Sequence, residues 1–349
     1  MKYTVIGLMS GTSLDGLDIA CCVFRYDKLH WDYSISIAET IPYSEDWLNR
    51  LSGLPGSAAV EFAAADHLYG HLLGKLCRAF IEKNKIKADF IASHGHTVFH
   101  QPGRGFTSQI GNGAAIKAET GLPVVCDFRS GDVALGGQGA PLVPAGDRLL
   151  FSGFDFCLNL GGFANISFDH NGERLAFDIC PVNTVLNHFA GKLGQAYDKD
   201  GSIGSKGKVS MPLLNTLNKL PYYSQTGPKS LGKEWVDEVI LPILNSSGLG
   251  PEDILSTFYT HIVEQIALQT GTDEQKKMLV TGGGAHNKYL VSGIRSLIKP
   301  QIFIPDKLTI DFKEALIFAF LGVLRWRNEV NCLSTVTGAA HDGCFGAIY

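Results

Sequence analysis

The chain has no excess of basic residues. Lys and Arg number 30 against 34 Asp and Glu, a formal net charge of −4 over 349 residues. The electrostatic footprint expected of a nucleic-acid or anionic-membrane binder is therefore missing, and no nucleic-acid or membrane partner is expected. Long apolar runs are missing too: the longest apolar helical stretch, residues 315–324, is about half of what spans a bilayer. The opening residues MKYTVIGLMSGTS lack the apolar core and cleavage site of an export signal, so a cytoplasmic location is expected. None of the eight cysteines forms a C-x-x-C pair, and most lie in apolar runs. They read as reduced, structural thiols. The 40 glycines follow no G-X-Y repeat, which excludes collagen, and no low-complexity segment is present.

What is present is the composition of a folded protein: 45% hydrophobic and 18% charged residues, the reverse of a disordered chain. The length of 349 residues exceeds one ordinary core and predicts two lobes. The first is expected over residues 1–150, completed in one version by a tail from about 330 to 349, and the second over 151–330. The glycine- and proline-rich stretch 136–144 reads as a loop near the boundary.

Apolar runs and turn residues predict strands at 3–8, 19–26, 88–92, 108–110 and 124–128, then at 156–160, 164–168, 175–177, 278–280 and 301–304. Helices are expected at 57–81, 114–120, 184–193, 251–269 and 311–327. Strand, helix and strand in alternation suggest a partly parallel sheet and an α/β fold. Each half opens with a strand, a small-residue turn and a return strand, a weak internal repeat.

Six clusters are candidates for chemistry. Ser10-Gly11-Thr12-Ser13-Leu14-Asp15-Gly16-Leu17-Asp18 ends a strand in a turn rich in exposed N–H groups and hydroxyls, suited to phosphate oxygens. Asp15 or Asp18 could reach a magnesium ion or a sugar hydroxyl, although a plain hairpin turn has the same glycine need. Gly161-Gly162, flanked by Asn159 and Asn165, fits a second phosphate turn or an ordinary hairpin equally well. Gly282-Gly283-Gly284 stands between a strand and a helix, where backbone can approach a base or phosphate. Asp178 closes an apolar strand and can serve as a general base or as an Asx turn. His94, His96 and His100 fall within SHGHTVFH, at a spacing that fits no common zinc motif, so polar substrate contacts are the favoured reading. Arg129 follows a strand and can fork onto a carboxylate or phosphate, or pair with Asp132.

In chain order, IGLMSGTSLDGLD (6–18), SHGHTVFH (93–100), QIGNGAAI (109–116), DFRSGDVALGGQGAPLVP (127–144), NLGGFANIS (159–167), FDICPVN (177–183), YDKDG (197–201), GPKSLGKEW (227–235), TGGGAHN (281–287), DFKEALIFAFL (311–321) and STVTGA (334–339) resemble the anhydro-N-acetylmuramic acid kinase family. That family lies in the acetate/sugar kinase, Hsc70 and actin superfamily. The resemblance implies a two-lobed actin-like, ribonuclease H-like fold with a nucleotide cleft between lobes. It implies ATP and Mg2+, a homodimer, and a cell-wall recycling reaction. In that reaction water opens the 1,6-anhydro ring of the sugar while ATP phosphorylates O6, giving N-acetylmuramic acid 6-phosphate. By position, Asp178 matches the catalytic aspartate that activates the water. Gly11, Thr12, Ser13, Leu14, Asp15, Gly16, Leu17 and Asp18 match the ATP phosphate loop, with Gly161, Gly162, Gly282, Gly283 and Gly284 completing the nucleotide side. His94, His96, Gln109, Arg129 and Glu314 fall to the sugar side or the cleft.

The chain departs from the family pattern in three places. D-T-G-P-G-N becomes Asp178-Ile179-Cys180-Pro181-Val182-Asn183, Q-I-G-D-G carries Asn112, and His96 replaces a commoner glutamine. The rival readings are a kinase of the same superfamily with another substrate, a non-catalytic ATP-binding sugar sensor, and a zinc enzyme built on the three histidines.

Overall fold

The strand β1 (Lys2–Ser10) carries apolar side chains on both faces, and Val5, Ile6 and Leu8 are all fully buried. A strand buried on both faces belongs in the middle of a sheet. In the computed structural model, which describes residues 1–11, 14–225 and 227–349, β1 sits there. It pairs antiparallel with β2 (Leu17–Asp27), which pairs with β3 (His30–Ile41), and on its other side it pairs parallel with β4 (Phe90–Gln101). Beyond β4 lie β5 (Phe106–Ile110), antiparallel to it, and β6 (Val124–Cys126), parallel to it. The final residues, β12 (Ala347–Ile348), add antiparallel to β6. This sheet, the helix Ala59–Asn84 and their neighbours form one compact unit, Met1–Leu150 with Phe312–Tyr349.

The second unit, Phe151–Asp311, repeats the plan. Its sheet runs β7 (Phe156–Leu160), β8 (Phe163–His170) and β9 (Glu173–Pro181) as antiparallel neighbours. Then β10 (Lys277–Thr281) lies parallel to β7, and β11 (Gln301–Phe303) parallel to β10. The orders β6-β4-β1-β2-β3 and β11-β10-β7-β8-β9 are the same topology. The faint repeat between the two strand–turn–strand segments therefore extends to five strands in each unit. The core of the second unit gathers Leu158, Ile166, Ile179, Phe258 and Ile262 around the helix Pro251–Thr270.

The structure differs from the sequence expectation in several ways, the first being β3 (His30–Ile41), a strand that apolar patterning did not place. The stretch 93–101, expected as a polar loop, continues β4 to Gln101, because residues 93–96 are buried between β1 and its neighbours and β5 supplies hydrogen-bond partners beyond them. Asp178 lies inside β9 rather than at a strand end, since the strand runs on to Pro181. The last helix begins at Lys307, and the second unit ends at Asp311 rather than near residue 330. That boundary coincides with Phe312, whose φ of −116° and ψ of 20° break the helical run inside Lys307–Trp326. The amphipathic pattern is continuous across the break, so periodicity alone does not reveal it. The Gly136–Pro144 stretch is followed by the helix Val143–Leu150, and the first boundary comes after it. Among the described residues no helix is long and apolar enough to cross a membrane.

The helix Lys307–Trp326 rests on the first sheet where side chains are smallest. A Cβ on Gly7 would stand 2.2 Å from the carbonyl oxygen of Ala315, so only glycine admits this close approach. One residue before Glu314, Lys313 forms an ion pair with Asp147 at 2.8 Å, both side chains 5% exposed. Removing one partner of such a pair strands the other charge in the interior. Lys313→Met is expected to lower stability by about 3 to 5 kcal/mol, read by urea unfolding against the wild type. A loss under about 1 kcal/mol would place the pair with ordinary surface ion pairs.

Candidate active site

The first unit gathers polar side chains at the C-terminal ends of β1 and β4. Ser10, the last residue of β1, is buried and holds His96 of β4 through Oγ and Nδ1 at 3.0 Å. The Tyr43 hydroxyl donates to Ser10 Oγ at 2.7 Å and meets the Tyr69 hydroxyl at 2.6 Å. Burial lowers the His96 pKa, which favours the neutral ring at this contact. Four buried groups thus brace the start of the glycine turn from below. His96, expected on the sugar side, has its Nδ1 engaged here. Tyr43 and Tyr69 carry no motif and were not foreseen.

The turn is shaped by its backbone. Leu14 takes the left-handed φ of 60°, and its N–H reaches Gly11 O at 3.4 Å. A Cβ on Gly16 would meet Ile41 O at 2.6 Å. Asp18 accepts from Thr40 Oγ1 at 2.5 Å, and Asp15 is exposed. Thr12 and Ser13 lie outside the described residues.

Arg129 does not pair with Asp132. Its Nε and Nη2 donate to His94 Nε2 at 3.0 and 2.8 Å, and its Nη1 donates to Gly139 O at 2.6 Å. With Nε2 accepting, the His94 proton sits on Nδ1 and is donated to Gly95 O at 2.9 Å. Burial first and the Arg129 charge second hold His94 well below the usual histidine range. Desolvation lowers Arg129 itself to about 10, opposed first by the charge of Glu314. Glu314 keeps solvent access, yet protein crowds it closely enough for desolvation to raise its carboxyl. Arg129 opposes that rise, and Asp18 adds to it. His94, Arg129, Glu314 and Asp18 therefore act on one another electrostatically. The three histidines of the SHGHTVFH run diverge: His100 bonds to Thr107 Oγ1 at 3.0 Å.

Asp132 has a different task. Its buried carboxylate accepts from Gly139 N at 2.7 Å, Thr337 Oγ1 at 2.7 Å and Cys332 Sγ at 3.0 Å. This joins the GGQGAPLVP and STVTGA segments and sets the Gly139 carbonyl that Arg129 uses. Gln109 donates to Thr107 at 2.8 Å and Thr97 at 3.3 Å. With Ser93, His94 and Asp127 it lines a polar cavity of about 230 Å³. Asn112 caps the helix Gly113–Thr120 through Ala115 N and donates to Asp66 Oδ2 at 3.2 Å. An aspartate there would face the Asp66 carboxylate.

In the second unit the three consecutive glycines serve separate ends. A Cβ on Gly282 would meet Asn159 Oδ1 at 2.6 Å and the Leu160 backbone, and one on Gly284 would meet Leu160 Cβ at 2.7 Å. Gly283 has nothing nearer than Asn183 Nδ2 at 3.8 Å and faces open space. A cavity of about 170 Å³ lies beside it, lined by Asn183, Tyr197, Lys199, Asp200, His286 and others. Sequence reasoning assigned none of these five, although YDKDG and TGGGAHN carry four of them. At Gly161-Gly162 the turn closes through Gly161 N to Phe163 O at 3.1 Å, and Gly162 O accepts from Val182 N at 2.8 Å. The Gly162 N–H remains available for a ligand.

Asp178 is half-buried in β9, and the register slips immediately after it, so that Asn165 faces Asp178 while Ala164 faces Cys180. Bulges of this kind re-aim a side chain beside a site. Oδ2 accepts from Leu231 N at 2.8 Å, and Oδ1 has no hydrogen-bond partner among the described residues. Desolvation raises the carboxyl, and the Leu231 bond partly offsets it. Ile179, Cys180 and Val182, where the chain departs from the family pattern, are buried in the core at 2% exposure or less.

The sequence profile of the anhydro-N-acetylmuramic acid kinase family matches residues 3–349. Relatives named anhydro-N-acetylmuramic acid kinase align along the whole chain. The Pseudomonas syringae pv. tomato protein is 38% identical over 100% of both chains. The Vibrio cholerae serotype O1 protein is 36% identical and the Haemophilus influenzae protein 35%, each over 99% of this chain and 97% of the other.

Protonating His94 would set a cation against Arg129. By NMR, His94 is expected to remain the neutral Nδ1–H tautomer well below pH 6.5, the ordinary histidine value of about 6.5. Arg129→Met should raise its pKa toward that value. A wild-type His94 that titrates near 6.5 would contradict the arrangement.

Proposed function

The chain belongs to the anhydro-N-acetylmuramic acid kinase family, and we infer that it opens 1,6-anhydro-N-acetylmuramic acid with water and phosphorylates the released O6 from ATP. The products are N-acetylmuramic acid 6-phosphate and ADP. We read the enzyme further as cytoplasmic and homodimeric, as the resemblance implies.

The observation that carries the mechanism is Asp178: one carboxylate oxygen tied to a backbone N–H, the other unpartnered, and a pKa raised by burial. A base needs proton affinity near the working pH and a free lone pair in reach of its water. In the proposed step Asp178 Oδ1 takes a proton from water and the water oxygen bonds to C1. The C1–O6 bond breaks, O6 takes the electron pair and attacks the γ-phosphorus of ATP, and the bond from that phosphorus to the β,γ-bridging oxygen breaks so that ADP leaves with its electron pair. The strained bicyclic acetal supplies its own leaving oxygen, so the step needs no separate protein acid.

Phosphoryl transfer asks the protein mainly for positioning and charge neutralisation. The open face of Gly283, the Gly162 N–H and the turn 11–18 suit phosphate and nucleotide, and the cavity beside Gly283 suits the nucleoside. Magnesium neutralises charge on the transferring phosphates. Among the described residues no group of three His, Cys, Asp or Glu side chains could hold a metal. That suits an ion bound largely by phosphates and water with Asp15 or Asp18 adding a carboxylate. Arg129, His94, Gln109 and Glu314 are assigned to the sugar. His96 is better read as a brace of the phosphate turn.

Turnover in ¹⁸O-water should place one heavy oxygen at C1 of a sugar gaining one phosphate and one water by mass. Product carrying phosphate without water would refute the hydrolytic half. Asp178→Asn should cut kcat by about 10² to 10⁴ while ATP still binds. Because the Asp178 carboxyl is raised, the acid limb of kcat/KM should fall above the ordinary aspartate value of about 3.9.

A further inference from the structure

Beyond the Leu231 N–H, the segment GPKSLGKEW (227–235) has no task in the chemistry above. Within it, the Lys229 ammonium is turned back into the protein. Nζ donates to Tyr222 O and Gln225 O, both at 3.1 Å. It also lies over the Tyr222 ring, 4.5 Å from the centroid, and 5.9 Å from that of Phe177. Three further bonds run from the same loop to one residue. The Asp178 N–H donates to Lys229 O at 3.0 Å, the Leu231 N–H donates to Asp178 Oδ2 at 2.8 Å, and the Tyr222 hydroxyl donates to Asp178 O at 2.6 Å. Both backbone polar groups of Asp178 and one of its carboxylate oxygens are thus held by a loop whose two ends are tied together by Lys229.

The loop is needed because of the place of Asp178 in the sheet. β9 is an edge strand, so its neighbour β8 constrains it on one side only. The register slip after Asp178 loosens that side further. We propose that Lys229 is a positioning residue for Asp178, pinning residues 222–225 to 229–231 so that these two stretches aim Oδ1 and occupy Oδ2. The proposal rests on the reading of Asp178 as the base.

Loss of the ammonium would leave the carbonyls of Tyr222 and Gln225 without their charge-assisted donor. The loop would loosen, and the Leu231 bond, which favours the charged carboxylate, would weaken. The titratable groups around Asp178 are Cys180 on its own strand and Tyr222 and Lys229 on the loop. Burial pushes both the Cys180 thiol and the Tyr222 phenol up, so both stay neutral at working pH. Burial lowers Lys229, and its charge acts on Cys180. A shift of the acid limb therefore reports on Asp178.

The test uses the full-length enzyme with ATP, magnesium and the anhydro sugar. Lys229→Met should lower kcat about tenfold to a hundredfold, as expected for a misplaced group. It should leave both KM values within about threefold and move the acid limb to higher pH. Lys229→Arg, which keeps a cationic donor, should recover most of kcat. A ¹³C NMR titration of the Asp178 carboxyl reads the anchor without turnover: its pKa should rise in Lys229→Met and return in Lys229→Arg. A sugar KM raised more than about tenfold at unchanged kcat would make Lys229 a substrate contact and overturn the proposal. An Asp178 titration indifferent to Lys229→Met would overturn it equally. An active Asp178→Asn enzyme would instead refute the base and its positioning role, while a titration still sensitive to Lys229 would show the anchor intact.

Discussion

A buried carboxylate organises much of the first unit. Asp132 has no solvent exposure, and an unpartnered polar group in that position would be costly. Its acceptors are filled by a glycine N–H, a threonine hydroxyl and a thiol drawn from segments about 200 residues apart in sequence. The bond to Gly139 sets the carbonyl that receives Arg129. Arg129 in turn decides which nitrogen of His94 carries the proton and moderates Glu314. A structural bond thus bears, through Arg129, on the charge state of His94 and Glu314. The glycine-rich segment packs close against Asp132: a Cβ on Gly137 would stand 2.2 Å from its Oδ2.

The two units share five-strand topology but use it differently. In the first, the turn after the central strand is long, and it is braced by a run of hydroxyls and a histidine. In the second, the equivalent turn is a bare Gly161-Gly162 hairpin, and the carboxylate of Asp178 stands on the neighbouring strand β9, beside a register slip. One scaffold carries different polar groups in its two copies. Strand topology follows from apolar patterning, whereas the roles follow from a few loop residues.

Much of this was legible in the sequence, and the failures have causes. Apolar periodicity located both hairpins, the helix Ala59–Asn84 and the helix Pro251–Thr270. It lost β4 beyond residue 92, because SHGHTVFH reads as polar although His94 and His96 are buried against Arg129 and Ser10. Motif order pointed to Asp178, Arg129 and the three glycines. Sequence could not say that two of those glycines answer to Leu160 and Asn159 while one is left open, nor that Arg129 passes over nearby Asp132 for His94. Tyr43 and Tyr69 left no signal, since a buried tyrosine looks the same whether it packs or donates. The Asn112 departure is accounted for once Asp66 is seen beside it.

The first unit is discontinuous: it is built from residues 1–150 and 312–349, whereas the second is a single run, 151–311. The ribosome therefore delivers the central strand β1 first, but the helix that covers Gly7 and the strand that closes β6 come last. The second unit can complete its core while the chain is still being made, as contiguous domains do during synthesis. The first must wait, with β1 and β4 lacking their cover, until residues 312–349 have been made. Those residues thus act as the closing step for structure begun in residues 1–150, and without them the earlier-made half is left unfinished.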